Sequence, residues 1–287
     1  MKTLARVLFL FIAAAPAGLL WISSPAPLAK PQQASSQLSF LGFDRNIYPG
    51  DEAMKAMRRD FTFTGYWLSP PPGEKVSSWL GKREFLRSLG FGFLVLYRGR
   101  EVADVGNADV ARRLGEADAN ATSEAARAER FPAHTIIFLD IEEGGRLSPA
   151  YHVYLQSWLW TLTQRGYQGG FYCSAMPVKE DSHTTITTAG DIAHFLKSRA
   201  FAIWAFNDAC PPSPGCAFPR DPPSPIRSGS SIATVWQYAQ SPRRKEFAAH
   251  CPPGYHPDGN CYAPSDARHL WFLDVDSAST ADPSNGR

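Results

Sequence analysis

A repeated order of apolar runs and helix-like segments constrains the fold of this chain more than any other feature. Eight apolar runs have the length and bounding residues of buried strands, and helical periodicity separates most of the early ones. The predicted strands are residues 38–44, 61–67, 91–97, 135–142, 169–174, 201–206, 232–238 and 270–276. The predicted helices are residues 51–59, 79–89, 108–130, 149–165 and 189–198.

This order predicts an α/β fold, an irregular TIM-type (β/α) barrel whose later helices are replaced by disulfide-bearing loops. A length of 287 residues suits one barrel domain with an ample core. A doubly wound open sheet is the alternative. It is less favoured because Asp44-Arg45-Asn46 follows the first strand, where a nucleotide-binding sheet of that kind has a glycine-rich turn.

The fourth predicted strand ends in the acidic sequence Asp140-Ile141-Glu142. Because strand side chains alternate between faces, Asp140 and Glu142 should point the same way, about 6–7 Å apart along the strand. Glu143 should face the opposite side and contact solvent or a helix. A pair of acids at a strand end is suited to acid–base chemistry, although two carboxylates that simply meet solvent give the same pattern.

Other strand ends carry further acids and aromatic side chains. In barrels of this type functional groups gather where the strands end, so these residues are expected to share one rim. The acids are Asp44, Asp140, Glu142, Asp274 and Asp276, and the other candidates for substrate binding are Tyr66, Tyr97, Tyr172, Trp204, Gln237 and Tyr238. Each aromatic residue alone is equally consistent with core packing.

The chain termini are predicted to lie outside the barrel domain, which spans residues 39–278. Residues 1–29 have the basic start, apolar stretch and small residues of an export signal, with an uncleaved membrane anchor as the alternative. Residues 30–38 are expected to form a linker and residues 279–287 a disordered tail. The protein is therefore expected to be secreted, periplasmic or part of the cell envelope.

Cysteine usage agrees with export. Cys210 and Cys216 bracket one short proline-rich loop, and Cys251 and Cys261 bracket another, which predicts two local disulfides. Cross-pairing between the loops is the competing connectivity. Cys173 lies in a strand-like run and is expected to be a buried, unreactive thiol.

Charge and motif content narrow the classes of partner and cofactor. The formal net charge of +2 gives no basic patch for nucleic acid, so no nucleic-acid partner is predicted. No C-x-x-C or H-E-x-x-H spacing occurs, so a zinc site is not expected. No metal and no other cofactor are predicted. Contact with a membrane is expected only if the N-terminal segment remains as an anchor.

Six motifs follow one another along the predicted strands. They are Gly42-Phe-Asp44, Leu139-Asp-Ile-Glu142, Gly170-Phe-Tyr172, Trp204, Val235-Trp-Gln-Tyr238 and Leu273-Asp-Val-Asp276. Their order resembles that of family 25 glycoside hydrolases, which are bacterial cell-wall muramidases. The sequence Phe43-Asp-Arg-Asn-Ile-Tyr48, together with the export signal, is more similar to a related family of exported glycoside-hydrolase-like domains of uncertain function. The resemblance covers about residues 39–277.

The resemblance implies hydrolysis of a β-1,4 N-acetylhexosamine linkage in peptidoglycan. Glu142 corresponds to the general acid, and Asp140 to the carboxylate that positions the N-acetyl group or acts as the second catalytic carboxylate. Asp44 and Asp274 complete the acidic cluster. Tyr172, Trp204 and Trp236 would form sugar-stacking walls, with Gln237 or Tyr238 as a hydrogen-bonding partner. Two rival interpretations are a non-catalytic glycan-binding or wall-binding module and a structural envelope protein on the same barrel.

Overall fold

Eight strands form a closed barrel in the computed structural model, which describes residues 38–208, 222–241 and 262–287. The strands are β1 Phe40–Asp44, β2 Phe63–Trp67, β3 Gly92–Arg98, β4 Ile136–Asp140, β5 Gln168–Ser174, β8 Ala202–Phe206, β9 Ala233–Ser241 and β10 Leu273–Ala278. A separate short hairpin pairs β6 Val178–Lys179 with β7 Thr185–Ile186. The helices are α1 Asp51–Met57, α2 Arg83–Ser88, α3 Val102–Val105, α4 Ala108–Ala128, α5 Pro149–Gln164 and α6 Thr188–Phe195.

The eight-stranded barrel predicted from the sequence is confirmed, and each predicted strand and helix overlaps an observed one. Helix α3 and the β6–β7 hairpin were not predicted. Between β8 and β10 the described residues contain one 3₁₀ helix, Pro225–Arg227, and no α-helix, as expected for the last third of the barrel. The four cysteines expected in disulfides lie outside the described residues. No described helix is both long and apolar enough to cross a membrane.

The orientation of β10 differs from that of a regular barrel. Around the barrel the order is β1-β10-β9-β8-β5-β4-β3-β2, and β10 is antiparallel to both of its neighbours. Its N-terminal end therefore lies at the rim where the other strands end. Asp274 pairs with Asp44 at that rim, whereas Asp276 pairs with Gly42 further down. The expectation that a C-terminal strand end brings both acids to the rim was wrong.

Alternation along the strands divides the barrel into an interior and an outer layer. Inside, Phe63, Phe138 and Trp204 are fully buried, and Phe138 packs edge-on against Trp204. Outside, buried side chains pack against the helices, as Phe171 of β5 does against Trp158 of α5. Below the rim the barrel interior is therefore mainly apolar.

The C-terminal residues 279–287 are ordered, so the predicted disordered tail was wrong. Because β10 runs away from the rim, the chain emerges at the opposite end of the barrel and crosses below β3 and β4. There the Asp282 carboxylate accepts a hydrogen bond from the Phe93 N–H at 2.8 Å, and the Ser284 carbonyl accepts one from the Ile136 N–H at 2.8 Å. The tail supplies partners that the strand ends would otherwise lack.

Ser284 is expected to be important for stability. It is fully buried, and its Oγ accepts a hydrogen bond from the Val95 N–H at 2.8 Å. Ser284→Ala leaves that buried N–H unpaired, so we expect the free energy of unfolding to fall by about 1–3 kcal/mol in urea titrations. Ser279→Ala, which removes a partly exposed hydroxyl from the same tail, is the matched control. Equal stability of both variants would contradict this role.

Candidate active site

A cavity of about 390 Å³ opens at the rim where the parallel strands end. Seven of the residues predicted for the site line it: Asp44, Asp140, Glu142, Tyr172, Trp204, Gln237 and Asp274. The fold explains this convergence. Asp44 and Asp140 are the last residues of β1 and β4, Glu142 follows β4 by two residues, and Asp274 lies at the start of the antiparallel β10.

The acids of the cavity differ in their exposure to solvent. Asp44 and Asp140 are only 6% and 3% exposed, whereas Asp274 is partly buried and Glu142 is exposed. Two glycines allow the backbone to pack closely around them. A Cβ at Gly65 would lie 2.7 Å from the Asp44 Cβ, and a Cβ at Gly99 would lie 2.3 Å from the Asp140 carbonyl oxygen. The buried acids are therefore held by close backbone packing.

Burial and mutual repulsion change the acidity of this cluster. Burial raises the pKa of Asp44 well above its usual value, and the negative charges of Asp276 and Asp274 raise it further. Burial also raises the pKa of Asp140, the charge of Glu142 adds to the effect, and Arg98 opposes it. Asp140 therefore retains its proton to higher pH than an isolated exposed carboxyl would.

A hydrogen-bonded chain connects the opposite walls of the cavity. The Tyr172 hydroxyl donates to Gln237 Oε1 at 2.5 Å, and Gln237 Nε2 donates to Asp44 Oδ2 at 3.4 Å. This chain fixes the amide orientation of Gln237, because its oxygen must face the phenol and its nitrogen the carboxylate.

Trp204 forms the floor of the cavity, and Asp276 lies beneath it. The Trp204 indole N–H donates to Asp276 Oδ1 at 3.0 Å, and both residues are fully buried. Asp276 does not line the cavity, and Trp204 is too deep to serve as an exposed sugar-stacking wall. Burial and the charge of Asp274 raise the pKa of Asp276, although the Asp44 and Trp204 hydrogen bonds oppose this shift.

Besides Asp276, four of the predicted binding residues lie outside the cavity. Tyr66 is fully buried on the outer face of β2, where its hydroxyl donates to Glu129 and its ring packs against Phe131. Tyr97 lines a different surface hollow beside Arg100 and Asp118. Trp236 and Tyr238 flank Gln237 in β9 and point away from the cavity, packing against each other. Strand alternation accounts for all four positions.

Several cavity residues were not assigned to the site from the sequence. They are Asn46, Trp67, Pro72, Leu96, Ile141, Gly144, Ser174, Phe206 and Gln240. Trp67 is the most informative of them, since it is 3% exposed and its buried indole N–H has no hydrogen-bond partner among the described residues. The buried Asp140 Oδ2 also lacks one. An unpaired donor and an unpaired acceptor therefore lie in residues that line the cavity.

Two residues near the site have structural roles. Glu143 accepts a hydrogen bond from the Val102 N–H at the start of α3 at 3.0 Å, which confirms the predicted helix contact. Cys173 is a free, fully buried thiol whose pKa is raised by burial, as expected for an unreactive cysteine.

Within the described part of the chain, no group of three or more His, Cys, Asp or Glu side chains is arranged to hold a metal ion.

Comparison with known families agrees with this arrangement. Residues 80–209 match the family model of the Rv2525c-like, glycoside hydrolase-like domain. The family resemblance predicted from the motifs is confirmed. The matched stretch runs from the segment before α2 to just beyond β8, and it includes Asp140, Glu142, Tyr172 and Trp204. No curated protein matches the chain.

Solved structures share the fold at low sequence identity. An uncharacterized B. stearothermophilus protein is 22% identical, with a TM-score of 0.52, and the match covers 83% of this chain and 95% of that protein. The Tat-secreted protein Rv2525c of Mycobacterium tuberculosis is 14% identical, with a TM-score of 0.48 and coverage of 87% and 98%. A muramidase from Acremonium alcalophilum is 15% identical, with a TM-score of 0.43 and coverage of 70% and 87%. The first of these supports the barrel fold.

Proposed function

We propose that this protein is an exported glycoside hydrolase that cleaves a β-1,4 N-acetylhexosamine linkage in peptidoglycan. The observation that carries the proposal is the convergence of Asp44, Asp140, Glu142 and Asp274 on one cavity at the rim of the barrel. Paired carboxyl groups on either side of a glycosidic bond are the usual machinery for its hydrolysis. The match to a glycoside hydrolase-like family supports the same class of reaction.

In this proposal Glu142 is the general acid. It is the exposed member of the Asp140–Glu142 pair, so a glycan that enters the cavity reaches it first. Glu142 donates a proton to the glycosidic oxygen as the bond from that oxygen to C1 of the sugar breaks. Water then adds its hydroxyl group to C1 and returns a proton to Glu142, so that the pair is restored.

Asp140 has two roles in this scheme. Its raised pKa keeps a proton on Asp140, next to Glu142, and its unpartnered Oδ2 accepts a hydrogen bond from the substrate, for which an N-acetyl N–H is suited. Asp274 adds negative charge that stabilises the positive charge developing at C1 in the transition state. Tyr172 and Gln237 hold Asp44 in place and contact the sugar.

The acid pair and the polar lining of the cavity also suit a protein that binds glycan without cleaving it.

We place the protein outside the cytoplasm on the basis of the signal-like residues 1–29, which lie outside the described residues. The proposed substrate is consistent with that location.

An assay on purified glycans tests the proposal. The secreted protein is incubated with peptidoglycan and with β-1,4-linked N-acetylglucosamine polymer, and both bound protein and released reducing ends are measured. We expect new reducing ends from peptidoglycan. Binding without reducing ends would instead identify a glycan-binding module, and neither binding nor cleavage would favour a structural role in the envelope.

A further inference from the structure

A second cavity of about 290 Å³ lies beside the acidic one. The two cavities share Asn46, Gln240 and Asp274 in their walls, so they lie next to each other at the rim. A ligand bound at the acids can therefore extend a substituent into the second cavity. The distinctive residue of that cavity is Arg45, which directly follows Asp44 of the acidic cluster.

Arg45 has hydrogen-bonding capacity that the described residues do not use. Its Nε and Nη1 atoms are buried and have no hydrogen-bond partner there. The carboxylates of Asp266 and Asp274 act on it through their charge. Both oxygens of Asp266 already accept backbone hydrogen bonds, from Leu270 at 3.0 Å and Trp271 at 2.8 Å. A buried N–H group without an acceptor is energetically unfavourable, so a ligand that supplies an acceptor to this guanidinium would be favoured.

Burial partly desolvates the charge of Arg45. It lowers the pKa of the guanidinium, and the two nearby carboxylates oppose that change. An arginine nevertheless remains charged at physiological pH. A partly desolvated guanidinium attracts an anion more strongly than an exposed one does, and its planar fork fits a carboxylate through two parallel hydrogen bonds.

The walls of the second cavity are partly apolar. Phe272 and Ile47 line it and are 67% and 48% exposed, which is high for such large apolar side chains. Glu74 is the third charged residue of the lining, beside Arg45 and Asp274. These negative charges disfavour a polyanion. The chemistry of the cavity is therefore suited to a single carboxylate attached to an alkyl or acyl group.

We propose that this cavity is a subsite for a carboxylate-bearing substituent of the glycan, held by Arg45 and packed between Ile47 and Phe272. The inference rests on the proposed function and specifies the substrate class for the same site. In peptidoglycan such a carboxylate has two sources, the lactyl group of a peptide-free muramic acid and the stem peptide of a substituted one. Arg45 recognises the chemistry that they share.

Binding measurements with three oligosaccharides of equal length test this subsite. They are an N-acetylglucosamine oligomer, a muramyl oligosaccharide with free lactyl carboxylates, and the same oligosaccharide carrying stem peptides. All are titrated by calorimetry into protein with the Glu142→Gln substitution, which prevents turnover. We expect Arg45→Gln to weaken binding of at least one carboxylate-bearing ligand by about 10- to 100-fold and to leave the uncharged oligomer almost unaffected.

Three further variants sharpen the result. Arg45→Lys keeps the charge but loses the paired geometry, so it should recover only part of the affinity. Glu74→Gln removes a repelling charge and should tighten binding of the carboxylate ligand alone. Arg112→Gln, on the exposed surface of α4, should change nothing. A thermal unfolding curve for each variant verifies that it is folded.

The outcomes separate the subsite from the reaction. If Arg45→Gln weakens binding of the peptide-free ligand, the carboxylate that Arg45 binds is the lactyl carboxylate. If it weakens binding of the peptide-bearing ligand alone, Arg45 binds the peptide carboxylate. An Arg45→Gln effect that is equal for all three ligands, or absent from all three, overturns the subsite. If wild-type protein releases no reducing ends but shows the Arg45-dependent preference, the subsite stands and the hydrolase proposal fails.

Discussion

Replacing Glu142 by glutamine is expected to lower the rate of reducing-end release from peptidoglycan by about 10²–10⁴-fold, because the amide cannot donate the proton that the leaving oxygen needs. The side chain is exposed and nearly the same size in both forms. The free energy of unfolding should therefore fall by no more than about 0.5 kcal/mol. Initial rates and urea titrations on the same preparations measure the two quantities.

Glu143→Gln is the matched control for this substitution. Glu143 is the next residue in the chain, but it faces α3, where its Oε1 accepts the Val102 N–H. Glutamine retains that acceptor, so activity and stability should both stay near wild type. A Glu142→Gln variant that cleaves at the wild-type rate would remove Glu142 from the role of general acid, and equal losses in both variants would indicate a general effect on the loop after β4.

The acid cluster could be predicted from the sequence because two simple regularities determine it. Parallel strands of a barrel end at one rim, and side chains two residues apart share a face. Asp44 and Asp140 end their strands, and Glu142 keeps the alternation of β4 beyond its end. The same regularities brought Tyr172 and Gln237 to the cavity, because each stands at an inward position.

The wrong assignments arose where the sequence does not specify which face points inward. In β2 the tyrosine and the tryptophan of Tyr66-Trp67 are equally plausible at a binding site, and the choice depends on Gly65. Gly65 must face inward to make room for Asp44, so Trp67 also faces inward and Tyr66 outward. In β9, Gln237 points inward, so its neighbours Trp236 and Tyr238 point outward, away from the cavity. Whether a residue occupies an inward or an outward position in its strand therefore predicts its place in the cavity better than its aromatic character does.

Strand direction and tail packing depend on contacts that no local pattern contains. An apolar run looks the same whether its strand is parallel or antiparallel to its neighbours, so the reversal of β10 was not predictable. The reversal carries residues 279–287 to the opposite end of the barrel, where Asp282 and Ser284 bind the backbone of β3. Small and polar residues that would form a loose tail in solution are ordered there by unpaired strand N–H groups.

The acid cluster is also expected to make the protein less stable at high pH than at low pH. Asp44, Asp140 and Asp276 have folded-state pKa values raised above the value of about 3.9 of an unfolded aspartate. At pH values between the unfolded-state and the folded-state pKa, the folded protein therefore binds more protons than the unfolded chain does. Their contribution to stability is present below about pH 4 and is lost as the pH rises through each folded-state pKa. Each tenfold difference in proton affinity between the folded and unfolded states corresponds to about 1.4 kcal/mol.

Asp140→Asn should remove its share of this dependence. The neutral amide avoids both the burial cost and the repulsion by Glu142, so the variant should be more stable than wild type at pH 8, although it should release few or no reducing ends. Urea titrations between pH 4 and pH 8 measure how the free energy of unfolding changes with pH. The slope of this change should be shallower for Asp140→Asn than for wild type. Asp109→Asn, at an exposed position of α4, should reproduce the wild-type slope. An Asp140→Asn variant that is less stable than wild type at pH 8, with an unchanged slope, would show that Asp140 is ionised at little cost. In that case Asp140 would not hold a proton next to Glu142, as the proposed mechanism requires.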